Sequence, residues 1–382
     1  MPDLHETRLP ENHRANWYPG WAPRFWNGMR TLEYMRLLSA NQFRIHPSRI
    51  PMAAMIGACS VVNSILAAAQ KVGYSKSIRN VNFDRRPPLF IVGHWRSGTT
   101  LLHELLSLDS RLAFPNNYEV FVPHHFLVSK RFLQPLVLLL MPPTRPMDKM
   151  PMRVDLPQED DFALCAMGAP TPYRRIAFPN QPSEDYRQLD IGNLTKTQEK
   201  HLRISLETFY RALTVCHQKP LVLKSPPHTG RIAKLAEWFP GSKFIHLSRN
   251  PDQLVPSTIR LWQTLDQVQG FQPAKYSEEW LLNYIQKNKD LMYASYWRDR
   301  ETLPPNRLVE IRFEDLVADP VAKIKMIYQQ LELDGVEDNL QNITDYFARR
   351  GDHQKNANKL NPKLKNWIDS NWLDYKQRFE YE

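Results

Sequence analysis

Gly93, Arg96, Ser97, Gly98, Thr99 and Thr100 fall within eight residues of one another, in the run LFIVGHWRSGTTLLHELL from Leu89 to Leu106. An apolar strand precedes the first glycine, and the two hydroxyls open a leucine-rich helix. Two glycines in that setting let the backbone turn tightly, so that successive N–H groups and the positive helix end face one concavity suited to an anion. Ser97, Thr99 and Thr100 add hydroxyl donors. A nucleotide-binding P-loop would carry a lysine where this chain has Thr99; here Arg96 supplies the charge, with a planar fork matched to two oxyanion contacts. The run predicts a phosphate-like cradle that has given up the lysine of ATP-using enzymes.

Such a loop needs a strand behind it and a helix ahead of it. Leu89 to Val92 reads as a short buried strand, and Thr99 to Leu108 as a helix with Leu101, Leu102, Leu105 and Leu106 at helical spacing. Further strands are predicted at 221–225 (LVLKS), 243–248 (KFIHLS) and 308–313 (LVEIRF), with helices at GRIAKLAEWF and just after Pro320. This alternation predicts an α/β fold with a P-loop-like parallel sheet flanked by helices. Two helical elaborations are expected: an N-terminal subdomain over 1–85, and an insertion over about 118–220 within a domain spanning 86–382. The stretch after about 338 reads as helical and basic.

At 382 residues and 42% hydrophobic, the chain has ample material for a core, and its 31 prolines are scattered rather than gathered into a linker. The formal charge of +10 favours an anionic partner. Basic residues are interleaved with acids and no zinc-finger or RNP-like pattern occurs, so nucleic acid is not the expected partner. Cys59, Cys165 and Cys216 are odd in number and widely spaced, which fits a reducing compartment. The polar N-terminus carries no apolar export segment, and the expected location is cytoplasmic. The apolar run Ile50 to Ala69 contains Pro51, Gly57, Ser60, Asn63 and Ser64, and is expected to be a buried helix rather than a span. FLQPLVLLLM from Phe132 to Met141 is too short to span. Core packing is the expected role of both runs and of Trp17, Trp21 and Trp26 with Arg24, Arg30 and Arg36. The alternatives are contact with the cytoplasmic face of a membrane, or a channel for a greasy acceptor. Nothing in the sequence marks an oligomeric state.

IVGHWRSGTTLLHELLSLD resembles the 5'-phosphosulfate-binding loop of the sulfotransferase superfamily, in the branch that includes bacterial enzymes and resembles the tyrosylprotein sulfotransferases. LVLKSPPHTGRIAKLAEWFPGSKFIHLSRNPDQLVPS is similar to the second half of that branch's nucleotide site, and IRFEDLVADP to a segment that opens a late helix. Together they cover roughly residues 88–335. Trp95 departs from the proline often found before the arginine. The resemblance implies 3'-phosphoadenosine 5'-phosphosulfate as sulfuryl donor, a hydroxyl or amine as acceptor group and no metal, while the apolar runs around 50–69 and 120–141, rather than the resemblance, point to a small-molecule or lipid-like acceptor. Arg96, Ser97, Gly98, Thr99 and Thr100 would then hold the 5'-phosphosulfate, and Arg249 and Ser257 the 3'-phosphate. Lys224, with Arg96, would stabilise charge on the oxygen that bridges sulfur and phosphorus.

By the same resemblance Glu119 stands where tyrosylprotein sulfotransferase-like members carry a carboxylate base, and Val120, Phe121 and Val122 would raise its pKa by desolvation. Cytosolic sulfotransferases use histidine instead, which makes His124 and His125 rival bases or acceptor-site residues. His353 and Lys355 fall where related proteins close over the nucleotide. The acids Glu159, Asp160 and Asp161 are expected only to complement a helix N-terminus, with no histidine in reach along the sequence. Two other functions compete. Glu314 and Asp315 could serve a P-loop kinase or NTPase using Mg-ATP, which Thr99 opposes. A membrane-peripheral nucleotide-binding protein without turnover is opposed by Lys224 and Glu119.

Overall fold

The computed structural model describes residues 18, 21–140, 142, 144, 153–350 and 360–381. Four parallel strands form its sheet: β1 (Leu89–Val92), β2 (Val222–Lys224), β3 (Lys243–Ser248) and β4 (Leu308–Arg312), in the spatial order β2-β1-β3-β4. β1 pairs on one side with β2, Ile91 opposite Lys224, and on the other with β3, Val92 opposite His246. The carboxyl ends of three strands therefore bring the loop after Val92, Lys224 and the Ser248–Arg249 corner to one rim. That rim is where open parallel sheets bind ligands.

The central strand β1 reads as a continuous apolar run because both its faces are covered, whereas the edge strand β4 alternates, with Glu310 exposed. Leu89 and Ile91 join Val222, Ile245, Leu247, Val309 and Ile311 on one face, while Phe90 and Val92 join Leu223 and Phe244 on the other, as the two-residue period requires. The first face is packed by the leucines of α3 (Thr99–Leu106) and by Ile324, Ile327 and Leu331 around α12 (Pro320–Gln330). The second belongs to the larger core, which also takes in Phe25, Trp26 and Tyr34 from the N-terminal region.

That region contributes α1 (Thr31–Ala40) and α2 (Ile50–Arg79). Pro51 is tolerated because the first turn leaves its N–H groups unpaired in any case. The crossover from β1 to β2 carries α3, α4 (Asn117–Phe121), α5 (Phe126–Leu140), α6 (Asp160–Ala166) and α7 (Lys196–His217). After β2 come α8 (Ile232–Trp238), β3, α9 (Pro251–Gln269), α10 (Glu278–Arg300), β4, α11 (Phe313–Ala318), α12 and α13 (Glu337–Arg350). Two short helices end the described chain, α14 (Pro362–Asn371) and α15 (Leu373–Arg378).

The expected helix at 50–69 forms but is not buried as a whole: only a third of its most apolar window is enclosed. Trp26 is fully buried, its indole donating to the Gln269 carbonyl (2.8 Å), and the Arg24 guanidinium lies over the Tyr18 ring. Trp21 stays exposed, and Trp17 lies outside the described residues.

Candidate active site

The loop between β1 and α3 takes the shape its glycines permit. Gly98 precedes α3 at φ 99°, and a Cβ there would sit 2.2 Å from the Phe313 ring, so only glycine fits. Arg96 itself adopts a left-handed φ of 67°, an uncommon conformation for a residue with a side chain. Its Nε donates to the Ser257 hydroxyl at 2.9 Å. Ser257 lies on α9, which follows β3 and is capped by Asn250 accepting from the Asp252 N–H (2.9 Å). Pro256 is carried within that helix without ending it.

Arg249 donates to the Arg96 carbonyl (3.1 Å) and stacks on Phe313 at 4.5 Å. Burial lowers its pKa, and the neighbouring charge of Arg96 lowers it further. Burial and the Arg96 charge likewise lower Arg260, three residues beyond Ser257 on the same face of α9. Three guanidinium groups thus stand together beside a helix N-terminus, a concentration of positive charge suited to an anion. The Ser97 hydroxyl points the same way: it is fully buried without a hydrogen-bond partner among the described residues. These groups fit a ligand with anionic ends.

At the end of β2, the buried Lys224 ammonium meets Glu159 Oε1 at 2.8 Å. The other carboxylate oxygen accepts from the Tyr173 hydroxyl (2.6 Å), which in turn accepts from the Trp95 indole N–H (2.6 Å). Trp95 therefore ties the anion loop to this carboxylate. Glu159 keeps 14% of its side chain open, whereas Asp160 and Asp161 are sealed. All three acids face basic residues at the end of β2 and just beyond it: Glu159 meets Lys224, Asp160 meets His228 Nε2 (2.8 Å), and Asp161 meets Arg231 Nη1 (2.9 Å). The spacing K-x3-H-x2-R turns one side of that segment toward the N-terminus of α6. Tyr210 donates to Asp160 and Thr171 to Asp161 (2.6 Å), so the two buried carboxylates anchor the helix that carries Glu159. Burial pushes Asp160 up, but the charge and hydrogen bond of His228 outweigh it and hold the carboxyl below its usual range.

The profile of the sulfotransferase family matches residues 87–338. Omega-hydroxy-beta-dihydromenaquinone-9 sulfotransferase Stf3 of Mycobacterium bovis is 35% identical over 377 residues, covering 98% of this chain and 95% of its own, and the Mycobacterium tuberculosis protein of that name matches equally. This chain belongs to the sulfotransferase family. Two solved structures share its fold: the sulfotransferase STF9 from Mycobacterium avium (TM-score 0.59, 14% identity, 93% of this chain and 97% of that one) and STF1 from Mycobacterium tuberculosis (TM-score 0.58, 16%, 84% and 88%).

In this sulfotransferase, Arg96, Ser97, Gly98, Thr99, Thr100, Arg249, Ser257 and Lys224 converge on one rim. Glu119, His124 and His125 stand in other surroundings. Glu119 is fully buried in α4, where it accepts from Lys130 Nζ (3.0 Å), His217 Nε2 (3.0 Å) and the Asn116 N–H (3.1 Å). The expected rise in its pKa does not occur. Burial pushes it up, but the hydrogen bond and charge of His217, with Lys130, outweigh that and leave it below the usual carboxylate range. His125 bridges Ser129 (2.8 Å) and Asn63 (2.9 Å), and His124 reaches the Ala166 carbonyl (3.3 Å). Burial lowers both to about 4, so each is neutral near pH 7.

Glu314 accepts from the Asn250 N–H (3.1 Å) and the Tyr381 hydroxyl (2.9 Å), which places it in a structural contact rather than a metal-holding one. Lys355 and His353 lie outside the described residues. The C-terminal segment does reach the rim: Trp372 packs edge-on against His94, the Tyr375 hydroxyl accepts from the Arg249 N–H (3.2 Å), and Tyr381 meets Ser248 (3.1 Å). The sequence reading missed Glu159, Tyr173 and Arg260. Arg260 had a signal, its i+3 spacing from Ser257; Glu159 had none, since its lysine lies 65 residues away.

Proposed function

We propose that this sulfotransferase moves a sulfuryl group from 3'-phosphoadenosine 5'-phosphosulfate to the hydroxyl of an apolar, lipid-like acceptor, with Glu159 as general base. The observation that carries this reading is the Lys224–Glu159 contact on the rim that also holds the Arg96 loop. Arg96, Ser97, Thr99 and Thr100 would hold the 5'-phosphosulfate, and Arg249 with Ser257 the 3'-phosphate. Arg260 adds charge to that pocket. An ammonium has three donors, so Lys224 can serve the bridging oxygen and still neighbour Glu159. The acceptor oxygen forms a bond to sulfur as the bond from sulfur to the bridging oxygen breaks. The acceptor proton passes to a Glu159 oxygen, and the electron pair stays on the departing 5'-phosphate, where Lys224 and Arg96 face the charge. Arg249 and Ser257 act at a distance from the reacting atoms, fixing the donor in register.

The apolar acceptor is supported by the relatives named for a hydroxylated menaquinone derivative, which cover nearly all of this chain. Two experiments test the reading. In a thermal-shift series with chelator present, adenosine 3',5'-bisphosphate should raise the midpoint more than ADP at equal concentration, because only it carries the 3' charge. A concentration near 100 times Kd stabilises by about 2.7 kcal/mol. The opposite order, or a response that needs magnesium, returns the chain to ATP chemistry. Labelled donor should also mark hydroxylated isoprenoid quinones in preference to peptides or glycans; labelling confined to peptides would overturn the acceptor class.

A further inference from the structure

Helix α2 is built the wrong way round for a helix on a water-facing surface. Residues 50–70 contain no Asp, Glu, Lys or Arg. The side turned toward the protein begins with Met52, Ala53 and Ile56 and continues with the polar Ser60, Asn63 and Gln70. Asn63 donates to the Met29 carbonyl (2.9 Å) and its Oδ1 accepts from His125 Nε2 (2.9 Å), and Gln70 accepts from the Leu127 N–H (2.9 Å). The side turned outward is apolar. Ala54, Ala58, Val61, Ile65, Ala68 and Val72 step by fours and threes along one stripe, with Ile65 66% and Val72 87% exposed. At 1.5 Å per residue that stripe runs for roughly 27 Å.

The neighbouring helix α5, tied to α2 through Leu127 and Gln70, repeats the pattern with Phe132, Leu136 and Leu139, the last 80% exposed. Of the sixteen large apolar side chains that stand exposed among the described residues, nine are on α2 and α5. A concentration of that kind marks a contact surface rather than ordinary scatter. Neither α2 nor α5 contains an acidic residue, and Lys71, Lys76, Arg79 and Arg131 stand exposed along them.

We propose that this face docks on an anionic lipid bilayer, lying in its interface instead of crossing it. Crossing is opposed by the inner side of α2, whose Asn63 and Gln70 are hydrogen-bonded to the body of the protein. An apolar stripe flanked by lysine and arginine without acids complements acyl chains and anionic headgroups together. A second copy is a poorer occupant, because a two-fold contact would set the same cations against one another. The inference goes beyond sulfuryl transfer and stands without the acceptor reading, since it rests on α2 and α5 alone.

The test is flotation of the full chain, without donor, on vesicles of phosphatidylglycerol and phosphatidylcholine. The protein should float with them and be released in part by salt at about 0.5 M. Val72→Asp and Leu139→Asp should each cut the bound fraction by about 10-fold or more, because each removes the burial of one large apolar side chain. Both sites are so exposed that the fold should survive, and an unchanged thermal shift with adenosine 3',5'-bisphosphate would confirm it. Failure of the unaltered protein to float overturns the proposal. So does flotation that neither substitution weakens, or a solution dimer that Val72→Asp converts to monomer. Activity on a detergent-dispersed acceptor should be unaffected by either substitution, which keeps failure here distinct from failure of the catalytic reading.

Discussion

Glu119 and Glu159 are the same residue type near the start of two short helices in the same crossover, yet the fold gives them opposite situations. Glu119 lies in the first turn of α4, sealed from solvent, with Lys130, His217 and a backbone N–H on its oxygens. Glu159 is the residue before α6, partly open, with Lys224 on one oxygen and Tyr173 on the other. A carboxylate surrounded by donors on every side holds structure together. One that remains partly open beside a lysine at the carboxyl edge of a parallel sheet stands where a bound molecule can reach it. The difference lies in what the second residue of each pair is attached to: His217 ends α7 before β2 begins, whereas Lys224 ends β2 itself.

The largest effect that would separate the two is on turnover. Glu159→Gln should cut it by about 100- to 10,000-fold while adenosine 3',5'-bisphosphate still raises the melting midpoint, since base catalysis has that magnitude. Near-normal turnover in Glu159→Gln, together with collapse in Glu119→Gln, would exchange the roles of the two glutamates. Next in size is the donor site. Arg249→Ala should weaken adenosine 3',5'-bisphosphate by about 10- to 100-fold in calorimetry and its 3'-dephosphorylated analogue much less, because a charge-assisted contact is lost only by the first. Equal losses would detach Arg249 from the 3'-phosphate.

Glu119→Gln should cost about 1–2 kcal/mol of stability with turnover per folded molecule nearly unchanged, as a Gln can still cap α4 but leaves Lys130 and His217 without their anion. Its pH dependence follows from a folded-state pKa below the unfolded one: the stabilisation is present above the unfolded carboxylate pKa and is lost as pH falls through the folded value. Urea melts should therefore show the gap between the two proteins closing below about pH 4. A gap that stays constant down to low pH would mean that Glu119 is held by packing alone. The smallest effect is at Trp95. Trp95→Phe keeps a ring against Trp262 but removes the N–H that holds Tyr173, and a drop in turnover of about 3- to 10-fold with intact donor binding is expected. A weaker donor affinity instead would make Trp95 part of the anion loop rather than a support for Glu159.

Much of the sheet was legible in advance. Leu89–Val92 was read to the residue because a strand buried on both faces shows as an unbroken apolar run, and KFIHLS to its ends because the helix GRIAKLAEWF and the Pro-Gly turn precede it and Asn-Pro follows it. The anion loop was legible for the same local reason: glycine positions, hydroxyls and an arginine lie within a few residues. Glu159 was hidden because its neighbours along the chain, Asp160 and Asp161, made it look like one more acid at a helix start. Arg96 meeting Ser257 and Arg249 could be expected only through resemblance, since they lie more than 150 residues apart.

The sequence by itself determined the elements that depend on near neighbours: the strands, the turn that shapes the Arg96 loop, the capping of its helices and the apolar content of α2. Tertiary structure alone decided which carboxylate Lys224 meets and which side of α2 faces water. Both outcomes follow from packing between segments far apart in the chain. The ladder of Glu159, Asp160 and Asp161 against Lys224, His228 and Arg231 is closed by burial of its two inner pairs. The apolar stripe of α2 is left outside because the opposite side is held against the body by the bonds of Asn63 to Met29 and His125 and of Gln70 to Leu127, and a buried amide keeps its place only where such partners exist.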